Sequence, residues 1–209
     1  MTETNAQNRI DGFRPDAPSR AAPGAFGVGR TTLTLVMSDV PRTVNLMTGQ
    51  GPARADRSLT VELFYPAKTP VSPTPIQTML RDGVTPITLH GQSEPDAAPA
   101  SDGDPFPLVV ISHGYPGNRF LLSHLAENLT SKGYAVASID HADSTYEDQN
   151  IPEAVAVDRP RDIHFVLNAL ADMAETGDHP AVRTISTERV GLVRSEEHTS
   201  ELQSQFRIS

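Results

Sequence analysis

The sequence predicts an α/β domain whose sheet is mostly parallel, begins with an antiparallel pair of strands and has helices on both faces. Two segments near the N-terminus alternate apolar and polar residues, which is typical of half-buried strands. Two later segments are uninterrupted apolar runs, as in parallel strands covered on both faces. A helical pattern separates these two runs, and a strand, a helix and a strand with short joints indicate a right-handed crossover unit.

Composition limits the classes of function. The 209 residues suffice for one domain or for part of a larger one, but a hydrophobic content of 37% and the absence of Trp indicate that some of the chain is not packed. The net charge of −9, without a Lys/Arg cluster, argues against a nucleic-acid partner or an anionic-membrane footprint. Without Cys, disulfides and thiolate chemistry are excluded. No segment approaches the roughly 18 apolar residues of a membrane span, so we expect a cytoplasmic protein.

The N-terminal part is predicted to be a leader followed by two strands. Residues 1–29 read as an extended leader because prolines and glycines interrupt every possible helix. Thr32–Met37 alternates Thr with Leu, and Ser58–Tyr65 repeats the alternation. The second strand places four apolar side chains on one face: Leu59, Val61, Leu63 and Tyr65. The long connection between them predicts an antiparallel pair.

Residues 66–107 form a predicted proline-rich insertion within one partial domain, residues 30–193. Nine of the chain's 18 prolines fall in this insertion. Because it begins and ends on strand signals, a segment looping out of one domain is more economical than a linker. Apolar residues at 79–80 and 87–89 suggest a short element that packs over the site.

A glycine-rich turn follows the first buried strand. The run Leu108–Ile111 stops at Ser112-His113-Gly114, and Gly117 follows shortly. Glycines allow backbone N–H groups to turn outward, which an anion-stabilising loop needs, although an ordinary tight turn gives the same pattern. The turn leads into a helix over residues 120–132, in which Leu121, Leu122, Leu125 and Leu129 lie at helical spacing and which Gly133 ends. A second buried strand is predicted over residues 134–139.

The last elements are a helix and a strand. Pro160 suits the first helical position and Gly177 a helix end. The apolar stripe of this helix is Ile163, Val166, Leu167, Leu170 and Ala174. Arg161 and Asp162 in its first turn predict an ion pair. A third parallel strand is predicted over residues 189–193.

These motifs resemble the α/β-hydrolase fold, and more narrowly the platelet-activating-factor acetylhydrolase and predicted dienelactone hydrolase group. The motifs are the Val-Val-Ile-Ser-His-Gly-Tyr loop ending at Tyr115, the Gly-Tyr-Ala-Val-Ala-Ser-Ile-Asp-His strand ending at His141, the Arg-Pro-Arg-Asp helix start and the Arg-Val-Gly-Leu-Val strand ending at Val193. The leader Phe26-Gly-Val-Gly-Arg-Thr-Thr-Leu33 adds to the resemblance, which covers residues 27–193. The implied fold is the N-terminal, incomplete part of an α/β hydrolase.

The resemblance implies hydrolysis of a small-molecule carboxylic ester or lactone by a serine, without a cofactor or a metal. The oxyanion loop would contain His113 and Gly114, and the Tyr115 backbone N–H would stabilise the developing oxyanion. The Tyr115 side chain either lines the acyl pocket or shields the loop.

The nucleophile expected after Val193 is absent from this sequence. The resembled hydrolases continue into Gly-His-Ser-x-Gly, which would place the serine at position 196, but this chain has Arg194, Ser195 and Glu196. Ser195 lacks the following x-Gly and is not expected to be a nucleophile. Residues 194–209 resemble a translated sequencing adapter. We therefore expect a fragment without a catalytic triad, inactive by itself; a genuine tail on a non-catalytic ligand-binding protein is the alternative.

Several other polar residues fit structural roles. His141 and Asp143 follow a strand, where a turn cap with the carboxylate accepting backbone N–H bonds is favoured over metal ligation, because no third ligand has sensible spacing. Asp140 is expected to be structural because the triad acid of the resembled fold follows the nucleophile. A nucleotide-binding domain is disfavoured, since the G-x-G-x-x-G and P-loop fingerprints are both absent.

Overall fold

The computed structural model describes residues 8–9, 17–101 and 103–195, which form nine strands and three α-helices. The strands are β1 (Asn8–Arg9), β2 (Gly27–Pro41), β3 (Arg54–Ala67), β4 (Ile76–Met79), β5 (Pro86–His90), β6 (Ser93–Pro95), β7 (Phe106–Ser112), β8 (Ala135–Asp140) and β9 (Ile185–Arg194). The helices are α1 (Thr43–Thr48), α2 (Ser123–Ser131) and α3 (Pro152–Thr176). Residues 1–7 and 10–16 of the predicted leader, and the predicted tail after Ser195, lie outside the described residues.

Six of the described strands form one mixed sheet in the order β6-β2-β3-β8-β7-β9. β2 and β3 are antiparallel from the Gly27–Ala67 pair to the Pro41–Arg54 pair, with α1 in the connection between them. β7 is parallel to both β8 and β9, and β3 joins the two halves by pairing antiparallel with β8. The predicted fold class is therefore confirmed. The long connection between β2 and β3 permits an antiparallel pair, and the crossovers through α2 and α3 allow β7, β8 and β9 to run parallel.

The two faces of the sheet bury separate apolar clusters. The face of β3 that alternation predicted carries Leu59, Val61, Leu63 and Tyr65, and all four side chains are buried against α3. The α3 side chains in this cluster include the whole predicted stripe, together with Phe165 and Met173: Ile163, Val166, Leu167, Leu170 and Ala174. The opposite face packs Phe64 and Val136 against α2. In the part of the chain that the structure describes, no helix is long and apolar enough to span a bilayer.

Helix α3 begins eight residues earlier than the sequence predicted. Its first residue is Pro152, so Pro160, which was expected to start the helix, lies inside it. Both prolines suit a first helical position, and only the packing of the preceding turns distinguishes them. The predicted end is confirmed, because Gly177 adopts a left-handed conformation with φ of 74°.

Helix α2 buries a different face from the one that its leucines predicted. Leu122 and Leu129 lie at the margin of the core, whereas the buried residues of α2 are small or polar: Ser123, Ala126, Glu127, Thr130 and Ser131. Glu127 accepts hydrogen bonds from the backbone N–H groups of Gln92 and Ser93 and from the Ser93 hydroxyl. The insertion backbone therefore docks on α2 and occupies space that a leucine stripe would need.

The proline-rich insertion contains the short element that its apolar residues predicted. β4 and β5 form a hairpin, and β1 pairs with β5 in a second, three-stranded sheet. Asn118 Nδ2 donates to Thr78 Oγ1 over 2.8 Å, which attaches the hairpin to the loop after β7. Farther along, β6 pairs with β2 of the main sheet.

Strand β9 lies at one edge of the main sheet. It pairs with β7 on one side, and no described strand pairs with its other side. Two of its apolar side chains are exposed, Val190 at 42% and Leu192 at 57%. An exposed apolar edge strand offers unpaired backbone groups to a second chain.

The exposed edge predicts self-association of this 209-residue chain. Leu192→Lys should weaken it, because a charge on an edge strand opposes edge-to-edge pairing. Sedimentation velocity over a range of concentrations measures the effect. Leu46→Lys is the matched control, since Leu46 is 58% exposed on α1, away from the sheet edge. Equal self-association of the Leu192→Lys variant and the unsubstituted chain would contradict the prediction.

Candidate active site

The three residues predicted to form the oxyanion loop lie together at the carboxyl end of β7. We call residues 113–119 the β7 loop. Its backbone starts where β7, β8 and β9 all end, because these strands are parallel. His113 and Gly114 are buried and Tyr115 is half-buried. Ligand sites of open α/β sheets lie at this edge.

His113 supports the β7 loop from inside. Its Nδ1 donates to the Gly114 carbonyl over 2.7 Å, and its Nε2 accepts from the backbone N–H of His141 over 3.3 Å. Burial, and the neighbouring His141, lower the pKa of His113 to about 3, so the ring is neutral. A Cβ on Gly117 would lie 2.6 Å from His113 Nδ1, so the ring fits only beside a glycine.

Arg159 of α3 holds the same loop from the other side. One guanidinium nitrogen donates to the His113 carbonyl, and the other donates to the Gly114 carbonyl over 2.8 Å. That second nitrogen also donates to Ser144 Oγ over 2.9 Å. Arg159 is 5% exposed, so these hydrogen bonds are shielded from water. The sequence analysis did not single out this arginine.

Tyr115 presents its backbone N–H and anchors its side chain. Among the described residues, no acceptor lies within hydrogen-bond distance of the Tyr115 N–H. The phenol hydroxyl donates to the Asn150 carbonyl in the connection between β8 and α3. The side chain thus ties two loops together, which accords with the shielding role considered for it.

A buried serine, histidine and aspartate lie in a hydrogen-bonded row behind the β7 loop. Ser112 Oγ lies 2.9 Å from His141 Nε2, and His141 Nδ1 lies 2.9 Å from Asp162 Oδ2. The carboxylate requires a proton on Nδ1, so the serine hydroxyl donates to Nε2. Ser112 is 1% exposed, and His141 and Asp162 are fully buried. The row has the connectivity of a catalytic triad, but its serine has no access to substrate.

Arg57 completes this row. Its guanidinium contacts both carboxylate oxygens of Asp162, over 2.7 and 2.9 Å, and Asp143 Oδ2 over 2.8 Å. We call Ser112, His141, Asp162, Arg57 and Asp143 the buried polar network. Burial opposes ionisation of Asp162, but hydrogen bonds from His141 and Arg57 hold its pKa below the usual value. Burial lowers the pKa of His141 despite the carboxylate beside it.

Two predicted side-chain roles are wrong in this region. His141 does not cap a turn through its side chain but lies in the buried polar network, and the Asp143 carboxylate binds Arg57 and Arg42 instead of backbone N–H groups. The predicted pairing of Arg161 with Asp162 is also wrong. Arg161 pairs with Asp158, one helical turn earlier, because Asp162 faces the core.

Asp140 has the structural role that was predicted for it. Its carboxylate accepts the Arg119 backbone N–H and pairs with the Arg119 guanidinium. Arg119 also contacts the buried Glu62 over 3.4 Å. Asp140 therefore holds the start of α2 against the end of β8.

The strand that precedes the position predicted for the nucleophile ends beside the β7 loop. β9 ends at Arg194, which pairs with Ser112 of β7, and the Ser195 N–H donates to the Ser112 carbonyl over 3.1 Å. Position 196, where the resembled hydrolases have their serine, lies outside the described residues.

A cleft of about 330 Å³ opens between the β4–β5 hairpin and the β7 loop. Its lining is largely apolar and includes Met79, Ile87 and Phe120, with Asn118 and Tyr146 at the loops. This volume is at the lower end of the range for small-molecule sites. The hairpin thus forms one wall of a cleft that reaches Asn118 of the β7 loop, and the described lining does not include His113, Gly114 or Tyr115.

Comparisons with known proteins agree with this architecture. The model of a family described as platelet-activating factor acetylhydrolase, isoform II, matches residues 18–175. A platelet-activating factor acetylhydrolase of Cavia porcellus is 33% identical over 66 residues, which are 30% of this chain and 15% of that protein. A solved ferulic acid esterase from Streptomyces cinnamoneus matches with a TM-score of 0.63 and 25% identity, over 90% of this chain and 55% of that one. The chain thus spans about half the length of that esterase.

The two buried histidines predict a loss of stability in mild acid. Both pKa values lie below 6.5 in the folded protein, so the unfolded chain binds protons first as the pH falls. The contribution of His113 is fully present above pH 6.5 and is lost toward pH 3, at about 1.4 kcal/mol per pH unit. His141 adds to the loss in the same direction. Urea unfolding at pH 7, 6 and 5 measures this slope.

His113→Asn should lower that slope by about 1.4 kcal/mol per pH unit, because an amide can take part in hydrogen bonds without titrating. His124→Asn is the matched control, since His124 is exposed on α2. A slope in His113→Asn equal to that of the unsubstituted chain would refute the assignment.

Asp162→Asn should reduce the free energy of unfolding by up to about 3 to 5 kcal/mol, because it removes the bidentate partner of the buried Arg57 and leaves Asp143 as its main counter-charge. Asp172→Asn, at an exposed position of the same helix, controls for the loss of an acidic residue from α3. Urea unfolding at pH 7 compares the two variants. Equal effects would show that the buried polar network does not stabilise the fold.

Proposed function

Because the chain belongs to the platelet-activating factor acetylhydrolase isoform II family, we propose that the whole protein is a serine hydrolase of carboxylic esters or lactones. The observation that carries this proposal is the Tyr115 N–H, which lacks an acceptor among the described residues while the carbonyl before it is held by Arg159. The esterase matched over 90% of this chain supports the same class of reaction.

The proposed role of the β7 loop follows from the chemistry of ester cleavage. A serine oxygen attacks the carbonyl carbon, and the electron pair of the C=O bond moves onto oxygen to give a tetrahedral intermediate. Collapse expels the alcohol, and water then releases the acid from the acyl-enzyme. The Tyr115 N–H would donate to the oxygen while it is negatively charged, and one such donor typically contributes a factor of about 10² to 10³ in rate.

The nucleophile in this proposal belongs to the position after β9 and not to Ser112. Ser112 is 1% exposed and its hydroxyl is bound within the buried polar network. Arg194, Ser195 and Glu196 do not supply the Gly-x-Ser-x-Gly elbow. We therefore propose that the 209-residue chain contributes the oxyanion loop but is inactive by itself.

The substrate we propose is a small-molecule ester or lactone. The names of the relatives indicate acetyl and ferulic acid esters, and the cleft of about 330 Å³ beside the β7 loop suits one small substituent. A cytoplasmic location stays a prediction from the sequence.

The proposal is tested by amplifying the source gene with primers outside this segment and expressing the protein that it encodes. We expect Gly-x-Ser-x-Gly after Val193, covalent labelling of that serine by a fluorophosphonate and hydrolysis of p-nitrophenyl acetate. A serine-to-alanine variant at the elbow should lose both. The 209-residue chain is the matched control and should remain unlabelled at every serine, Ser112 included.

Two outcomes would overturn the proposal. If the gene encodes Arg194-Ser195-Glu196 and its product neither reacts with the fluorophosphonate nor hydrolyses the ester, ligand binding on a hydrolase-like scaffold replaces catalysis. Labelling of Ser112 would instead move the nucleophile to the buried row.

A further inference from the structure

We infer that Arg159 is a positioning residue that fixes the direction of the Tyr115 N–H by holding the two preceding carbonyls. The inference rests on the proposed function, because it assigns this arginine to the oxyanion site. Its guanidinium binds the carbonyls of His113 and Gly114 and the hydroxyl of Ser144.

The geometry of the peptide unit links the arginine to the Tyr115 N–H. The Gly114–Tyr115 peptide is trans, so its C=O and N–H point in opposite directions within one plane. Because Arg159 Nη2 holds the Gly114 oxygen over 2.8 Å, the Tyr115 N–H points away from the arginine. The donor is therefore aimed by a contact on the far side of the same peptide.

The backbone conformation at His113 and Gly114 needs a stabilising contact from another part of the chain. Successive carbonyls of an extended chain point to opposite sides, but the His113 and Gly114 carbonyls converge on one guanidinium. Two negative dipole ends pointing to the same place repel each other, and a buried cation between them removes the repulsion. A planar group with several fixed donors suits this task better than an ammonium, which is a point charge.

The charge of Arg159 also acts through the peptide. A cation bound to a carbonyl oxygen draws electron density from the amide, which makes the N–H at the other end a stronger donor. Arg159 contributes to the low pKa of His113, although burial and His141 contribute more. The Arg159 guanidinium therefore helps to keep the His113 ring neutral, and it makes the Tyr115 N–H a stronger hydrogen-bond donor.

The kinetic test uses the hydrolase encoded by the source gene. Arg159→Ala should lower kcat about 10²-fold while KM changes less than about threefold, because the lost donor acts on the transition state. Added guanidinium ion, at non-denaturing concentration, should restore part of kcat. Arg161→Met is the matched control, since Arg161 is partly exposed on the same helix and pairs with Asp158. An unchanged kcat, or no rescue by guanidinium, would overturn the inference.

A second test does not depend on hydrolysis. In the 209-residue chain, ¹⁵N relaxation should give a Tyr115 order parameter near 0.85, typical of rigid backbone, and Arg159→Met should lower it below about 0.6. Arg159→Lys keeps the charge and guards against a variant that fails to fold. An unchanged Tyr115 order parameter in both variants would overturn the inference. If the source-gene protein is inactive but Arg159→Met lowers the Tyr115 order parameter, only the proposed function is overturned.

Discussion

The ion pair between Arg57 and Asp162 is the contact on which the candidate site depends. It is bidentate, with distances of 2.7 and 2.9 Å, and both side chains are buried. A lone charge in this position would be strongly destabilising, so each partner requires the other. Because Arg57 belongs to β3 and Asp162 to α3, the pair fixes the rotation of the helix about its axis relative to the sheet.

The rotation of α3 determines where the β7 loop is held. Arg159 lies three residues before Asp162, on the same face of α3. The rotation of the helix that places the Asp162 carboxylate against Arg57 therefore also directs Arg159 at the β7 loop. His141 extends the contact from Asp162 to β8 and Ser112 extends it to β7. One helix and the ends of three strands are thus joined by charged and polar contacts, and apolar packing alone would permit the helix to rotate.

The sequence predicted the elements that depend on local pattern and missed those that depend on partners. Alternation placed Leu59 and Tyr65 on the correct face of β3, and the glycine-rich turn predicted a loop at Tyr115. Arg159, by contrast, was not singled out, and Asp162 was predicted to pair with Arg161, since a charge is expected inside only with a partner distant in sequence. His141 read as a turn residue for the same reason. The Arg-Pro-Arg-Asp motif contains Arg159, which binds the β7 loop, and it does not mark the start of the helix, because α3 begins at Pro152.

The register of the sheet brings the start of the β7 loop and the end of β9 together. Ser112 of β7 pairs with Arg194 of β9, and neighbouring strands lie about 4.8 Å apart. The Gly114–Tyr115 peptide begins two residues beyond Ser112, and the position where the family resemblance places a serine is two residues beyond Arg194 in the sequence. In the proposed hydrolase, the donor and the nucleophile would therefore follow two adjacent, paired strands. What the strands do not set is the direction of the donor, and α3 supplies that through Arg159.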